Sequence, residues 1–511
     1  MAKLIVNGIL KRVDPNETVQ TALLIDNGRI AAIGDPSRIN LGLYDGVETI
    51  DAAGAVILPG FIDAHNHYTL MGIQSTELDL TGLKHRALIL AEIQKKHKTL
   101  DASKPLIGSN YEFDFVEVSE RLTAEDLESA APGRMIQISD RGGHLSVTTR
   151  VTLARAGIDL RTEGCQDCVF PCGLNSKIFT GEICGVVNSD LNNFMRQALR
   201  NEQLLKLAWK HAAEVAVSHG VTSVHGIINE EEYLALNSYR ECLPVRLKIY
   251  AETKNVKAVK AAGLKQIGGC GKVMLDGDTG PYTAAFLEPY TDRAWTRGLL
   301  YYSNEELEDF VWEAHSAGLQ IALHCIGDGA SDQLLTILEK VMERKPRALR
   351  HRIEHFEFGT HDQIERAKKL GVMISMQPAF NYFWPHDTYI SQLGAERALR
   401  SDPVGSVVRS GVPIGFGSDC PVTPCDPLLT IYSALHHSLE NQRISADQAI
   451  AAHTIGAAYI GNDEKELGSL SVGKAADLVF LDADPAAVAP HEVKEISVLK
   501  TVVCGEAVYQ K

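Results

Sequence analysis

Val56-Ile57-Leu58-Pro59-Gly60-Phe61-Ile62-Asp63-Ala64-His65-Asn66-His67 is an apolar strand that runs into two histidines two positions apart. At an extended strand end, residues i and i+2 point the same way, so two imidazoles can meet one cation. Imidazole suits zinc and its neighbours. Alone, two histidines at this spacing are more often incidental, but the pattern recurs. Further short apolar strands read at Gly220 to His225, Val245 to Ala251, Gly271 to Leu275, Gln320 to His324, Arg352 to Phe356, Val372 to Met376 and Val412 to Gly417. Between several lie helical patterns, such as Glu202 to His219 and Asn304 to Ala317. Eight buried strands alternating with helices predict an α/β protein, a parallel (β/α)8 TIM-like barrel. A doubly wound open sheet is the competing fold, but no Gly-rich phosphate turn follows the first strand.

Outward from this core the pattern changes. Leu23-Leu24-Ile25 and Arg29 to Gly34 flank Asp26-Asn27-Gly28, a tight-hairpin signal because Asn-Gly accepts positive φ. Ala476 to Leu481 and Val498 to Tyr509 are also strand-like, with Gly505 as the turn. Residues 1–58 and 466–511 are therefore expected to form one small β-sandwich domain from both ends of the chain, with the barrel over 59–465. A barrel takes about 250 residues, and a surplus of roughly 100 falls between the first two strands. An inserted cap subdomain is expected there, over residues 85–200.

The 511 residues are 45% hydrophobic and 23% charged, ordinary for a soluble globular protein and not for a disordered one. The formal charge of −15 repels phosphate backbones and anionic lipid, which sets nucleic acid and membrane surfaces aside as partners. No apolar run reaches the roughly 18 residues of a membrane span. The first residues lack the apolar stretch of a signal peptide, so a cytoplasmic location is expected. Ten cysteines are too sparse for a disulfide scaffold.

Several side chains that carry chemistry fall at the C-terminal ends of the expected strands, where barrel enzymes place their active sites. His324 ends the fifth and His355 the sixth, Asp419 follows the eighth in Gly417-Ser418-Asp419-Cys420-Pro421, and Lys272 lies on the fourth. Each histidine could instead be a hydrogen-bonded core residue, and Lys272 a surface or salt-bridged lysine. Four aromatics in five positions follow the seventh strand, Phe380, Tyr382, Phe383 and Trp384, and suggest an apolar wall over a site; loop packing is the alternative.

These motifs, taken in order, resemble the metal-dependent amidohydrolase superfamily and, within it, the YtcJ-like branch, amidohydrolase family 3. Matching segments include Pro59 to His67, Gly220 to Val224, Lys272 to Gly277 with Thr283 to Ala285, His324 to Asp328, His351 to His355, Gly417 to Val422 and Gly468 to Leu478. The resemblance implies His65, His67, His324, His355 and Asp419 as ligands of one or two divalent ions, zinc by preference, with Lys272 N-carboxylated. A bare ammonium has no lone pair for a cation, whereas a carbamate offers two oxygens that can bridge two metals. It implies a hydrolase of a non-peptide carbon–nitrogen bond in an amide, formamide or cyclic amide. A zinc-activated hydroxide would attack the carbonyl, and Asp419 would shuttle the proton. A deaminase, an ester or phosphotriester hydrolase, and a catalytically silent binding or regulatory barrel are the alternatives.

By the same resemblance His144, Asp276 and Tyr282, and from the aromatic segment Gln377, Phe380 and Trp384, are expected to face the substrate. The match at His144 is partial, because the acidic residue of an Asp-Gly-His segment is not in register. Tyr282 stands where an arginine is expected, which favours a small neutral substrate, and an aromatic one is in keeping with the wall. A homo-oligomer is the expected assembly. Cys165, Cys168 and Cys172 form a C-x2-C-x3-C cluster; free thiols, a labile disulfide or a metal site completed by Cys184 are open readings. His436, His437 and His225 read as structural, His225 with a chance of lining the pocket.

Overall fold

A computed structural model describes residues 2–13, 18–159, 179–197 and 201–511. Eight parallel strands follow one another in chain order: Phe61–Asn66, Val221–Asn229, Arg246–Glu252, Gln266–Gly269, Gln320–Cys325, Arg352–His355, Met373–Met376 and Ile414–Phe416. A parallel bridge between Asn66 and Cys420 returns the exit of the eighth strand to the first, so the sheet curls into a nearly closed barrel. Most strand residues are buried on both faces, as a parallel sheet under helices requires. The helices start and stop where their capping chemistry dictates. Asn304–Ala317 opens on a Ser303–Glu306 capping box and closes on Gly318 at φ 84°. Glu202–Ser218 is capped by Asn201, and its buried Trp209 donates Nε1–H to Thr69 at 3.0 Å, which ties this helix to the segment after His67.

Two strands differ from the sequence reading. The first is split by Pro59-Gly60. Val56–Pro59 pairs with Leu478–Leu481 in a separate sheet, and Phe61–Asn66 begins the barrel. Proline cannot donate to a ladder, and a Cβ on Gly60 would overlap Thr222. The fourth strand ends at Gly269 rather than starting at Gly271. Gly268 takes φ 145°, and the buried Glu252 carboxylate accepts the backbone N–H groups of Cys270 at 3.0 Å and Lys272 at 2.9 Å. Those donors are satisfied off the sheet, so the chain leaves it.

Both ends of the chain meet in one eight-stranded mixed sheet. Ala2–Lys11 is its shared member: residues 2–6 pair with Val47–Asp51, while Ile9 and Leu10 pair with Val56 and Ile57. The expected hairpin turn is present, with Asn27 at φ 48° and Gly28 at φ 74°. The insertion carries a five-stranded sheet of Leu78–Asp79, Leu106–Tyr111, Ile136–Asp140, Leu145–Thr148 and Glu182–Cys184, and so begins ahead of residue 85. It has its own apolar core around Leu80, Ile89, Tyr111, Ile138 and Leu145. Cys165, Cys168 and Cys172 lie outside the described residues. Among the described residues, no helix is long and apolar enough to cross a membrane.

Candidate metal centre

The barrel delivers its polar side chains from strand ends. His65 lies at the end of the first strand and His67 just beyond it; His324 and His355 lie at the ends of the fifth and sixth, and Asp419 just past the eighth. His355 and Asp419 hold φ of 68° and 55°. Left-handed backbone at a non-glycine residue costs about 1–3 kcal/mol, and it persists where the surroundings fix it. The Asp419 N–H donates to the His65 carbonyl at 2.8 Å. A Cβ on Gly417 would overlap the His65 backbone, so glycine permits this approach.

The five expected ligands come together, all buried except His67, which keeps a small exposed face. Asp419 Oδ1 lies 3.3 Å from His65 Nε2 and 3.2 Å from His67 Nε2. Cys270, absent from the expected set, stands at the centre. Its Sγ is 3.1 Å from His324 Nδ1 and 3.0 Å from His355 Nε2. Two ligand groups result, His65, His67, Cys270 and Asp419, and Cys270, His324 and His355, each with its donor atoms within 4.8 Å of one another. The thiol belongs to both. Lys272 is exposed, outside both groups, and its backbone is held by Glu252 and Tyr302. The buried strand position expected for it therefore belongs to Cys270. A sequence signal existed in Gly268-Gly269-Cys270-Gly271: glycines end strands, and Cβ atoms on Gly269 or Gly271 would press on the Glu252 carboxylate.

The histidines are oriented from behind. His65 Nδ1 meets Glu354 at 2.6 Å, and Arg352 donates to both Glu354 oxygens at 2.7 and 2.6 Å. His355 Nδ1 meets Gln377 Oε1 at 2.8 Å, and His324 Nε2 meets the Gly277 carbonyl at 3.0 Å. Such partners fix the ring and the tautomer of a ligating histidine. Burial opposes charge throughout the cluster, yet opposite charges overcome it. Asp419 and Cys270 draw His67 up to about 10. The Cys270 thiol and Asp276 draw His324 up to about 9. The imidazoles hold Cys270 well below the ordinary thiol range. An anionic thiol and carboxylate among four imidazoles demand positive charge, which a divalent cation supplies with fewer protons. His65 Nε2 and Asp419 Oδ1 are buried and face one another across the centre without an aligned hydrogen bond. The residues present fit a metal.

Beside the cluster opens a cavity of about 330 Å3 lined by His144, His324, His355 and Asp419 together with Phe380, Trp384 and Tyr282. The Phe380 ring stacks on His355 at 5.8 Å, and Trp384 meets Phe380 edge-on. Tyr382 turns away to an exposed position against Tyr432. The wall expected from the aromatic run is thus two residues wide. Asp276 and Gln377 do not line the cavity. Asp276 accepts backbone N–H groups from Ala285, Ile326 and Gly327, and Gln377 backs His355. Both are engaged in the scaffold of the site through these bonds.

The cavity also carries charge that the sequence reading did not assign. Arg293 lies 3.7 Å over the Tyr282 ring, so a cation returns where an arginine had seemed lost, and Arg121 lies 3.7 Å over Phe113. Asp278 and Glu357 line the same space. His225 is buried behind the ligands, against Arg352, and His437 is bonded to the Asp402 carbonyl, so both are structural. His436 bonds back to its own helix at the Tyr432 carbonyl.

Metal ligands gathered at the C-terminal mouth of a parallel barrel suit a metal-dependent enzyme, and the family match makes this one a metal-dependent hydrolase of the amidohydrolase superfamily. The sequence profile of the amidohydrolase family, family 3 of that name, matches residues 48–509, and the chain belongs to it. It is 27% identical over 522 residues to the YtcJ protein of Bacillus subtilis, covering 96% of each chain. It is 24% identical over 551 residues to the N-substituted formamide deformylase of Arthrobacter pascens, covering 99% of this chain and 98% of the relative. The fold is similar to that of an uncharacterized metal-dependent hydrolase from Pyrococcus horikoshii OT3, with a TM-score of 0.77, 24% identity, and coverage of 96% of this chain and 99% of that one.

Proposed function

We propose that the protein hydrolyses a non-peptide carbon–nitrogen bond, in an amide, formamide or cyclic amide, at a centre shared through the Cys270 sulfur. The observation that carries this reading is one buried thiol common to two sets of ligand atoms. His65, His67 and Asp419 on one side, and His324 and His355 on the other, would hold one or two zinc ions, with Cys270 in place of a carboxylated Lys272. Thiolate and imidazole together favour zinc over harder ions. Bound zinc polarises a carbonyl and brings the pKa of water toward about 7. Asp419 accepts the proton lost by the attacking water and returns it to the departing nitrogen. Glu354 and Gln377 keep His65 and His355 in register. Phe380 and Trp384 shield the reacting carbonyl from bulk water. Likeness to an N-substituted formamide deformylase supports the choice of bond.

A chelator is expected to abolish hydrolysis of a panel of N-substituted formamides, and zinc to restore it. Asp419→Asn is expected to keep the fold by circular dichroism and most of the metal while lowering kcat by about 10^2–10^4. Full activity in metal-free protein, or cleavage of aryl esters with formamides untouched, overturns the reading.

A further inference from the structure

We propose that the part of the cavity bounded by Glu357 and Asp278 is a subsite for a cationic nitrogen, an ammonium or amidinium group carried by the substrate. The inference rests on the cavity being the substrate site of the hydrolase proposed above.

Glu357 follows His355 by two residues and lines the cavity, yet it is only 2% exposed. Its Oε1 is buried and has no hydrogen-bond partner. Burial first, and then the carboxyl groups of Asp402 and Asp278, push its carboxyl well above the ordinary range. Asp402 sits against it, donating its backbone N–H to the Glu357 carbonyl at 2.7 Å, and its own Oδ2 is likewise unpartnered. A buried carboxyl group beside a second one holds its proton until an opposite charge or a hydrogen-bond donor is brought to it. The Tyr389 hydroxyl bonds to its carboxyl group. The two arginines of the cavity are laid on the rings of Phe113 and Tyr282, and both act on the buried Glu182.

The rest of the lining suits a cation too. Phe380, Trp384 and Tyr389 border the same cavity. Aromatic faces attract ammonium and amidinium groups, more strongly once water is excluded. Acidic and aromatic side chains lining one cavity together favour a positively charged nitrogen.

The test is an equilibrium titration of the metal-loaded protein with two probes of one shape. Benzamidinium is cationic and has no free lone pair for a metal. Acetophenone is uncharged, with no carbon–nitrogen bond to cleave. Benzamidinium is expected to bind about tenfold or more tightly than acetophenone, a difference of about 1.4 kcal/mol. Glu357→Gln is expected to erase that preference while leaving acetophenone affinity unchanged, and Asp278→Asn to reduce it. Equal binding of the two probes by the wild-type protein, or a preference that survives both substitutions, overturns the proposal. If Glu357→Gln does not fold, Asp278→Asn decides between the two results. Binding is read only where both probes are recovered intact by mass spectrometry, so the outcome is independent of whether the enzyme cleaves amides.

Discussion

The ends of the first and fourth barrel strands carry the same spacing and use it differently. His65 and His67, two residues apart, both reach Asp419. Cys270 and Lys272, also two apart, part company: the thiol enters the histidine cluster and the lysine turns to solvent. The difference lies in the backbone. The first strand stays extended through Asn66, and the Asn66–Cys420 bridge holds its exit. The fourth strand stops at Gly269, and Glu252 collects the next amides into a turn. The rule that i and i+2 share a face holds only while the chain is extended. Each end also leans on a buried glutamate, Glu354 behind His65 and Glu252 behind Cys270.

Substitution at Cys270 gives the largest expected effect. Cys270→Ala should lose most bound metal by elemental analysis, with affinity falling by more than the roughly 10–100-fold typical of partners that only orient a ligand. Normal metal content in this variant would dissolve the contrast between the two strand ends. Glu354→Gln sharpens the other side. It leaves the Arg352 guanidinium buried without its counter-charge, a loss of about 3–5 kcal/mol in denaturant titration. The ordinary carboxyl of Glu354 is held at about 2, because the Arg352 charge and the His65 contact overcome burial. A depressed carboxyl stabilises the fold above its unfolded value and loses that stabilisation as the pH falls toward its folded value. Glu354 should therefore contribute to a loss of stability between about pH 4.5 and pH 2, and Glu354→Gln should make that limb shallower. The smallest effect belongs to Lys272→Ala, with zinc content unchanged and stability within about 0.5 kcal/mol of wild type. If that variant instead loses its metal and bicarbonate or acetate restores it, the carbamate reading returns and Cys270 leaves the centre.

Much of this was legible in the sequence because strand ends in a barrel converge whatever the loops between them do. Eight apolar segments, His65, His67, His324, His355 and the aspartate after Gly417-Ser418 need only the strand count to be placed. Cys270 was not legible, because Val273-Met274-Leu275 imitates a strand and the glycines before it were read past. Those three residues are buried in a loop instead. Gln377 and Asp276 lie in segments that border the cavity, but a side chain's direction there depends on backbone partners that no spacing rule encodes. Arg293 and Glu357 enter the cavity from segments with no pattern of their own.

Val56–Pro59, the short strand just upstream of the metal ligands, is held on one edge by Ala2–Lys11 and on the other by Leu478–Leu481. A growing chain can make the first of these pairings early but cannot make the second until almost everything else has left the ribosome. Closing so long a loop is entropically costly and slows folding. Until then an apolar strand with an open hydrogen-bonding edge is available to other nascent chains, the surface on which aggregates start. The seam between the two ends of the chain thus leaves this edge uncovered for most of the period of synthesis.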